Sequence, residues 1–225
     1  MSRYAVKFTK NGYLKYTSHL DMLRLFKRII KRSDIKLKYS QGFNPHPKMG
    51  FAQPLSLGYE SMCEYLEMET AEEMACEDIK ERLESRLPEG IRIPKVVKLP
   101  DEGKSLAATC YEAEYFIAIP VDSSFKGREA ELTDGYLKQK TIMVPKKQKK
   151  SKEFKEVDIR GKIRSMNVIF VDNNYIMTLI TDCGSDSNLS PELVISSFLK
   201  FAEIPTERAE IDVMRKRMSM AGYKL

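Results

Sequence analysis

Across residues 1–97 the chain switches repeatedly between two hydrophobic periods, and the order of those switches limits the fold more than any motif does. Tyr4-Ala5-Val6-Lys7-Phe8 alternates with period two, the pattern of a half-buried strand, and Lys10-Asn11-Gly12 turns the chain. Ser18 to about Ser33 takes up helical spacing, with Leu20, Leu23, Phe26 and Ile30 as its apolar stripe and Met22, Leu25 and Ile29 widening it. Ser18, followed three residues later by Asp21, is a capping-box-like start. Lys36 to Tyr39 and Lys48 to Phe51 are short extended pieces on either side of a glycine- and proline-bearing loop. Cys63 to Met68 alternates again, and Ala71 to Leu87 carries Ala71, Ala75, Ile79, Leu83 and Leu87 at helical spacing. Ile91 to Val97 closes the series as a strand, placed at a sheet edge by Pro94, which has no N–H to donate.

Strand, helix, strand, strand, helix, strand is the split βαβ arrangement of ferredoxin-like domains. The second half follows the rhythm less regularly. Tyr111 to Ile119 reads as a strand, Arg128 to Gln139 as a helix interrupted by Gly135, and Thr141 to Val144 as a short strand. Ser165–Val171 and Tyr175–Thr181 flank Asp172-Asn173-Asn174, a hairpin signal. Ser190-Pro191-Glu192 opens a helix running to about Glu203, and Arg208 to Met218 reads as a final strand. The expected fold class is α+β: two tandem ferredoxin-like, βαββαβ-type domains at 1–98 and 109–225, joined by a linker at 99–108.

Hydrophobic content of 42% with 31% charged residues suits a globular domain. The start of the chain lacks the apolar run of a signal peptide, and no stretch reaches the roughly 20 apolar residues of a membrane span. Cys63, Cys76, Cys110 and Cys183 are scattered and form no C-x-x-C pair. They read as reduced thiols of a cytoplasmic protein, and no metal and no cofactor is expected. A net charge of +6 hides a stronger segregation. Residues 15–48 hold nine lysines and arginines against Asp21 and Asp34, residues 60–89 are acidic, and Lys146-Lys147-Gln148-Lys149-Lys150-Ser151-Lys152 is basic again. Blocks of one sign suit a polyanion-facing surface, although a solvated charged face is the commoner explanation for any one of them.

Three features carry candidate chemistry. Arg24, Lys27, Arg28 and Lys31 stand opposite the apolar stripe of the first helix, a basic face suited to phosphates or simply to water. The loop Tyr39-Ser40-Gln41-Gly42-Phe43-Asn44-Pro45-His46-Pro47 holds His46 between two prolines. Tyr39 and Phe43 offer flat faces for bases, Ser40, Gln41 and Asn44 offer hydrogen-bonding edges, and Lys48 adds a charge. Alternatively, the loop is a rigid turn whose polar groups satisfy their own backbone. The chain's two histidines, His19 and His46, could join Asp21 or Glu64 as an acid–base pair or a metal site. Capping accounts for His19 and Asp21 as well. Nucleophile-elbow, phosphate-loop and dinucleotide fingerprints are absent.

The order Phe8-x-Lys10-x-Gly12, Ser18-His19-Leu20-Asp21-x-x-Arg24, the Tyr39–Pro47 loop and Leu55-x-Leu57-Gly58-x-x-Ser61 resembles the radical SAM-linked protein family. Val144-Pro145-Lys146-Lys147 and Lys155-Glu156-Val157-Asp158-Ile159-Arg160 are similar to that family's C-terminal half, so the likeness spans nearly the whole chain. In that family the domain stands alone or follows a radical SAM protein with a cobalamin-binding-like region. The resemblance implies a bacterial cytoplasmic protein that works with a radical SAM partner, in RNA modification or ribosome-related processing. It names no catalytic residue, and the chain lacks the C-x-x-x-C-x-x-C cluster motif of the radical enzyme itself. The expectation is therefore an RNA-binding accessory, with the basic helix face and Lys48 on phosphates and the loop on a base. The alternatives are an RNA-processing enzyme using His19 and His46, or a docking module that presents the acidic Glu60–Glu89 stretch to a radical SAM partner.

Overall fold

Tyr4, Val6 and Phe8 point to one side of the first strand, and what covers them determines the first half of the molecule. The computed structural model describes residues 2–147 and 153–223. It begins with β1 (Ser2–Lys10), a single 3-10 turn at Gly12–Tyr16, α1 (His19–Arg32), the short β2 (Met49–Phe51) and β3 (Glu60–Thr70). Next come α2 (Cys76–Glu84), β4 (Lys95–Leu99) and the four-residue α3 (Leu106–Thr109). β5 (Cys110–Pro120), α4 (Glu129–Lys138), β6 (Met143–Lys147) and β7 (Phe154–Asp158) follow. The chain ends with β8 (Ile163–Val171), β9 (Asn174–Asp182), α5 (Pro191–Ala202) and β10 (Asp212–Met220). It divides into two compact units, Met1–Tyr111 with Arg217–Leu225, and Glu112–Lys216. The architecture is mixed α+β.

In the first unit β1 pairs antiparallel with both β3 and β4, and β2 pairs antiparallel with β3, giving the order β4-β1-β3-β2. One face packs against the two helices. Tyr4, Val6 and Phe8 from β1, and Leu66 and Met68 from β3, meet Met22, Phe26, Ile29 and Ile30 of α1 and Ile79 and Leu83 of α2. Phe8, Phe26 and Phe51 form an aromatic cluster with ring centroids 4.6 to 5.7 Å apart. Ser18 caps α1 as expected, its hydroxyl accepting from the Asp21 N–H at 3.2 Å and donating to the Asp21 carboxylate at 2.7 Å. At the other end the Ser33 hydroxyl lies 2.9 Å from the carbonyls of both Ile29 and Arg82, tying α1 to α2.

Three expectations need correction. Leu20 is exposed and outside the core, because the buried stripe of α1 starts two residues later at Met22. α2 begins at Cys76 instead of Ala71, since Tyr4 takes over the preceding backbone: its hydroxyl donates to the Met74 carbonyl at 2.8 Å and accepts from the Met74 N–H at 2.9 Å. Residues 99–108 are docked, not a free linker. Leu106 is fully buried, and the buried Arg3 donates to the carbonyls of Pro100 and Lys104 while pairing with Glu67.

In the second unit the order is β10-β5-β9-β8, with β6 and β7 as a separate antiparallel ribbon. Asp172 and Asn173 both take positive φ, 47° and 56°, as the two-residue turn between β8 and β9 demands. α5 starts at Pro191 and buries Val194, Ile195 and Phe198. Tyr136 of α4 packs edge-on against Phe198, and its hydroxyl meets the Ser197 hydroxyl at 2.6 Å. Burial pushes the Tyr136 phenol up to about 12.

Candidate nucleic-acid interface

Lys27, Arg28 and Lys31 stand on the face of α1 turned away from Phe26 and Ile30, and the helix cannot bury them without giving up its core packing. After the helix, Asp34 adopts a left-handed φ of 53° and returns the chain along α1 through Ile35, Lys36 and Leu37. Between helix and returning segment lies an open groove with about 650 Å³ of space open to the centre of a water molecule. Its floor is Ile30, Ile35 and Leu37, its cationic lining is Lys27, Arg28, Lys31 and Lys36, and Tyr39 and Pro47 contribute from the loop. Four cations face one acid, Asp34. The negative end of the helix dipole accounts for Lys31 in the last turn, but not for Lys27 and Arg28 a turn earlier. Lys36 sits 3.8 Å from Glu72, both side chains exposed, a pairing that solvent weakens.

The Tyr39–Pro47 loop reads as two things at once. Tyr39 and Pro47 bridge across its base, the Ser40 N–H donates to the His46 carbonyl at 2.8 Å, and the His46 N–H donates to the Ser40 hydroxyl at 3.0 Å. Ser40 and the His46 backbone thus hold the loop closed. Gly42 takes φ of 129°, a conformation that a side chain at that position would strain. Gln41, Phe43, Asn44 and the His46 side chain are left exposed, Phe43 completely.

Other predicted ligands sit elsewhere. Arg24 reaches back 3.0 Å to Asp21, whose carboxyl is held below the usual carboxylate range by the Ser18 hydroxyl and then by Arg24. Lys48 and Lys38 both pair with Glu69, at 3.0 and 3.5 Å, and Lys48 lines a different hollow beside β3. Within the acidic stretch Glu67 pairs with Arg3, Glu69 with the two lysines and Glu73 with Lys98, while Glu77, Asp78, Glu81 and Glu84 stand exposed on α2. In the second unit Lys146 stands directly across from Lys155, and Lys147 across from the exposed Phe154, on the β6–β7 ribbon. Positions 148–152 of the lysine block lie outside the described residues.

His19, the first residue of α1, packs edge-on to Phe51 at 5.3 Å and lines a small cavity with Lys10, Gln53 and Glu64. The cavity has about 20 Å³ open to the centre of a water molecule, room for one or two waters and not for a nucleotide. His46 lines neither this cavity nor the groove. Lys10 and Glu64 are buried, and the Lys10 ammonium donates to the Thr17 carbonyl at 2.9 Å and the Lys15 carbonyl at 3.4 Å. Lys10 is legible in principle, being the next same-face position after Tyr4, Val6 and Phe8. Among the described residues no cluster of three or more His, Cys, Asp or Glu side chains is placed to hold a metal, and no helix is long and apolar enough to cross a membrane.

Fold and groove together define a mixed α+β protein with a basic, aromatic-edged surface channel. The chain belongs to a family described as an uncharacterized protein conserved in bacteria (DUF2344), whose model matches residues 3–191. No curated protein matches it. Among solved structures, a chain of a Cbf5-Nop10-Gar1 complex is 9% identical and superposes with a TM-score of 0.51 over 96% of this chain. That match takes in 48% of the other chain, so this protein spans about half its length, and the likeness concerns the fold alone. An unknown protein from Galdieria sulphuraria, 12% identical with 98% of both chains covered, reaches a TM-score of 0.26.

Proposed function

We propose that this protein is an RNA-binding accessory that grips phosphates in the groove beside α1. The observation that carries the reading is the convergence of Lys27, Arg28, Lys31 and Lys36 with Tyr39 around one ligand-sized channel, joining two sequence motifs in one place. Basic side chains over an apolar floor neutralise phosphates and release counterions, while an aromatic at the margin offers a face to a base. Both units carry the strand order of a split βαββαβ, which supports a tandem ferredoxin-like architecture with the β6–β7 ribbon inserted in the second. The sequence resemblance implies a bacterial cytoplasmic protein that works with a radical SAM partner, in RNA modification or ribosome-related processing.

The test is RNA binding measured across a salt series. Wild type should lose affinity steeply as salt rises, and the Lys27→Glu, Lys31→Glu double variant should bind at least about tenfold more weakly. Its salt slope should fall by about 0.7 for each phosphate that the variant no longer neutralises. RNA affinity indifferent to both substitutions sinks the reading. A second reading, catalysis by His19, rests on its place beside the buried Lys10 and Glu64. It requires an RNA-processing activity that His19→Ala abolishes.

A further inference from the structure

Four large side chains near the start of α1 are exposed without a covering element: Tyr13 at 94%, Tyr16 at 64%, Leu57 at 63% and Leu20 at 62%. Single exposed apolar residues are ordinary, whereas two tyrosines and two leucines on neighbouring segments form a patch. The Gly58 N–H donates to the Lys15 carbonyl at 2.8 Å, bringing Leu57 against the 3-10 turn that carries both tyrosines. Leu20 is the second residue of α1, two extended residues, Thr17 and Ser18, and His19 beyond Tyr16.

The turn is firmly held. Besides the Gly58 bond, the Lys10 ammonium grips the Lys15 and Thr17 carbonyls, the Gly12 N–H donates to Glu60 at 2.9 Å, and the Asn11 N–H donates to the Gly90 carbonyl at 2.9 Å. A buried lysine is thus used to fix a surface turn whose aromatic rings face water.

Charge decides what the patch fits. The Lys15 ammonium lies 5.5 Å from the centre of the Tyr16 ring. Leu20, Arg24, Lys27, Arg28 and Lys31 follow one another along the exposed face of α1 at helical spacing, so the patch continues into the basic groove. The nearby acids are engaged: Asp21 with Ser18 and Arg24, Glu60 with the Gly12 N–H. Fourteen helical residues span about 21 Å, several nucleotides of an extended strand.

We infer that Tyr13 and Tyr16 form a stacking platform for unpaired bases, and that the RNA class taken along α1 is single-stranded. The inference rests on the groove reading and names its substrate. A duplex keeps its bases stacked on one another and has none to offer a tyrosine face, whereas a single strand can lay bases on the rings and its backbone on the lysines.

The experiment measures fluorescence anisotropy with a labelled oligouridine RNA, and separately compares a mixed-sequence single strand with the duplex formed by its complement. Wild type should bind the single strand more tightly than the duplex. Tyr13→Ala and Tyr16→Ala should each weaken single-strand binding roughly 5- to 100-fold with the salt slope unchanged, while Tyr13→Phe and Tyr16→Phe retain it. Single-strand affinity unchanged in both alanine variants, alongside weakened binding in the Lys27→Glu, Lys31→Glu variant, overturns the platform and leaves the groove standing. Tighter or equal binding of the duplex also overturns it. RNA binding absent from wild type overturns both readings, and a protein captured through the tyrosines without any RNA effect counts against the platform as a base site.

Discussion

Two of the lysine-lined hollows in the first unit use their charge in opposite ways. Around the small cavity, Lys10 is buried and its ammonium is spent on the Thr17 and Lys15 carbonyls, beside a buried Glu64. Around the groove, Lys27, Arg28 and Lys31 are exposed and the space between the walls is about thirty times larger. A buried ammonium must be matched by hydrogen bonds or it cannot stay charged, so it becomes part of the scaffold. An exposed one contributes little to folding and stays available to a ligand. The difference separates residues that shape the surface from residues that act on it.

Substitution should expose that division, most strongly at Lys10. Lys10→Ala strips charged donors from the Thr17 and Lys15 carbonyls and should cost about 1.5–3 kcal/mol, read as a shift of the urea midpoint. It should also weaken any ligand that needs the Tyr13–Tyr16 turn. A Lys10 variant as stable as wild type would break the comparison. Ser18→Ala removes the cap of α1 and should cost about 1 kcal/mol by the same measurement. Since the Asp21 carboxyl is held low in the folded state, its contribution is present above the ordinary carboxylate range. That contribution disappears as pH falls through the lowered folded value. The stability lost on Ser18→Ala should therefore shrink in acid, and an acid-independent difference would remove Asp21 from the account. The smallest effect belongs to the groove: Lys31→Glu should change stability by within about 0.5 kcal/mol while weakening RNA binding.

What the sequence discloses depends on whether a signal is local. The alternation in β1 and β3, the Ser18 cap and the Asp172-Asn173 turn are nearest-neighbour physics, and each stands where its residues put it. The buried face of α1 starts two residues later than expected, because Leu20 fits the helical period as well as Met22 does and tertiary context chooses between them. Segregated charge misleads for a related reason. Lys38 and Lys48 belong to the basic block and Glu69 to the acidic one, yet β2–β3 pairing and the adjoining bridges bring them together. The groove is half legible: Lys27, Arg28, Lys31 and Tyr39 belong to visible motifs, but Lys36 gains its place through the left-handed turn at Asp34. Tyr13 and Tyr16 give no periodic signal, since a 3-10 turn of five residues has too little length to show one.

Holding that turn in place also has a kinetic consequence. Rings presented by a backbone secured to Lys10, Gly58, Glu60 and Gly90 surrender little conformational entropy when a base settles on them. Encounter then requires no rearrangement of the protein, so changes at Tyr13 and Tyr16 should be felt in how long the strand stays and hardly at all in how fast it arrives.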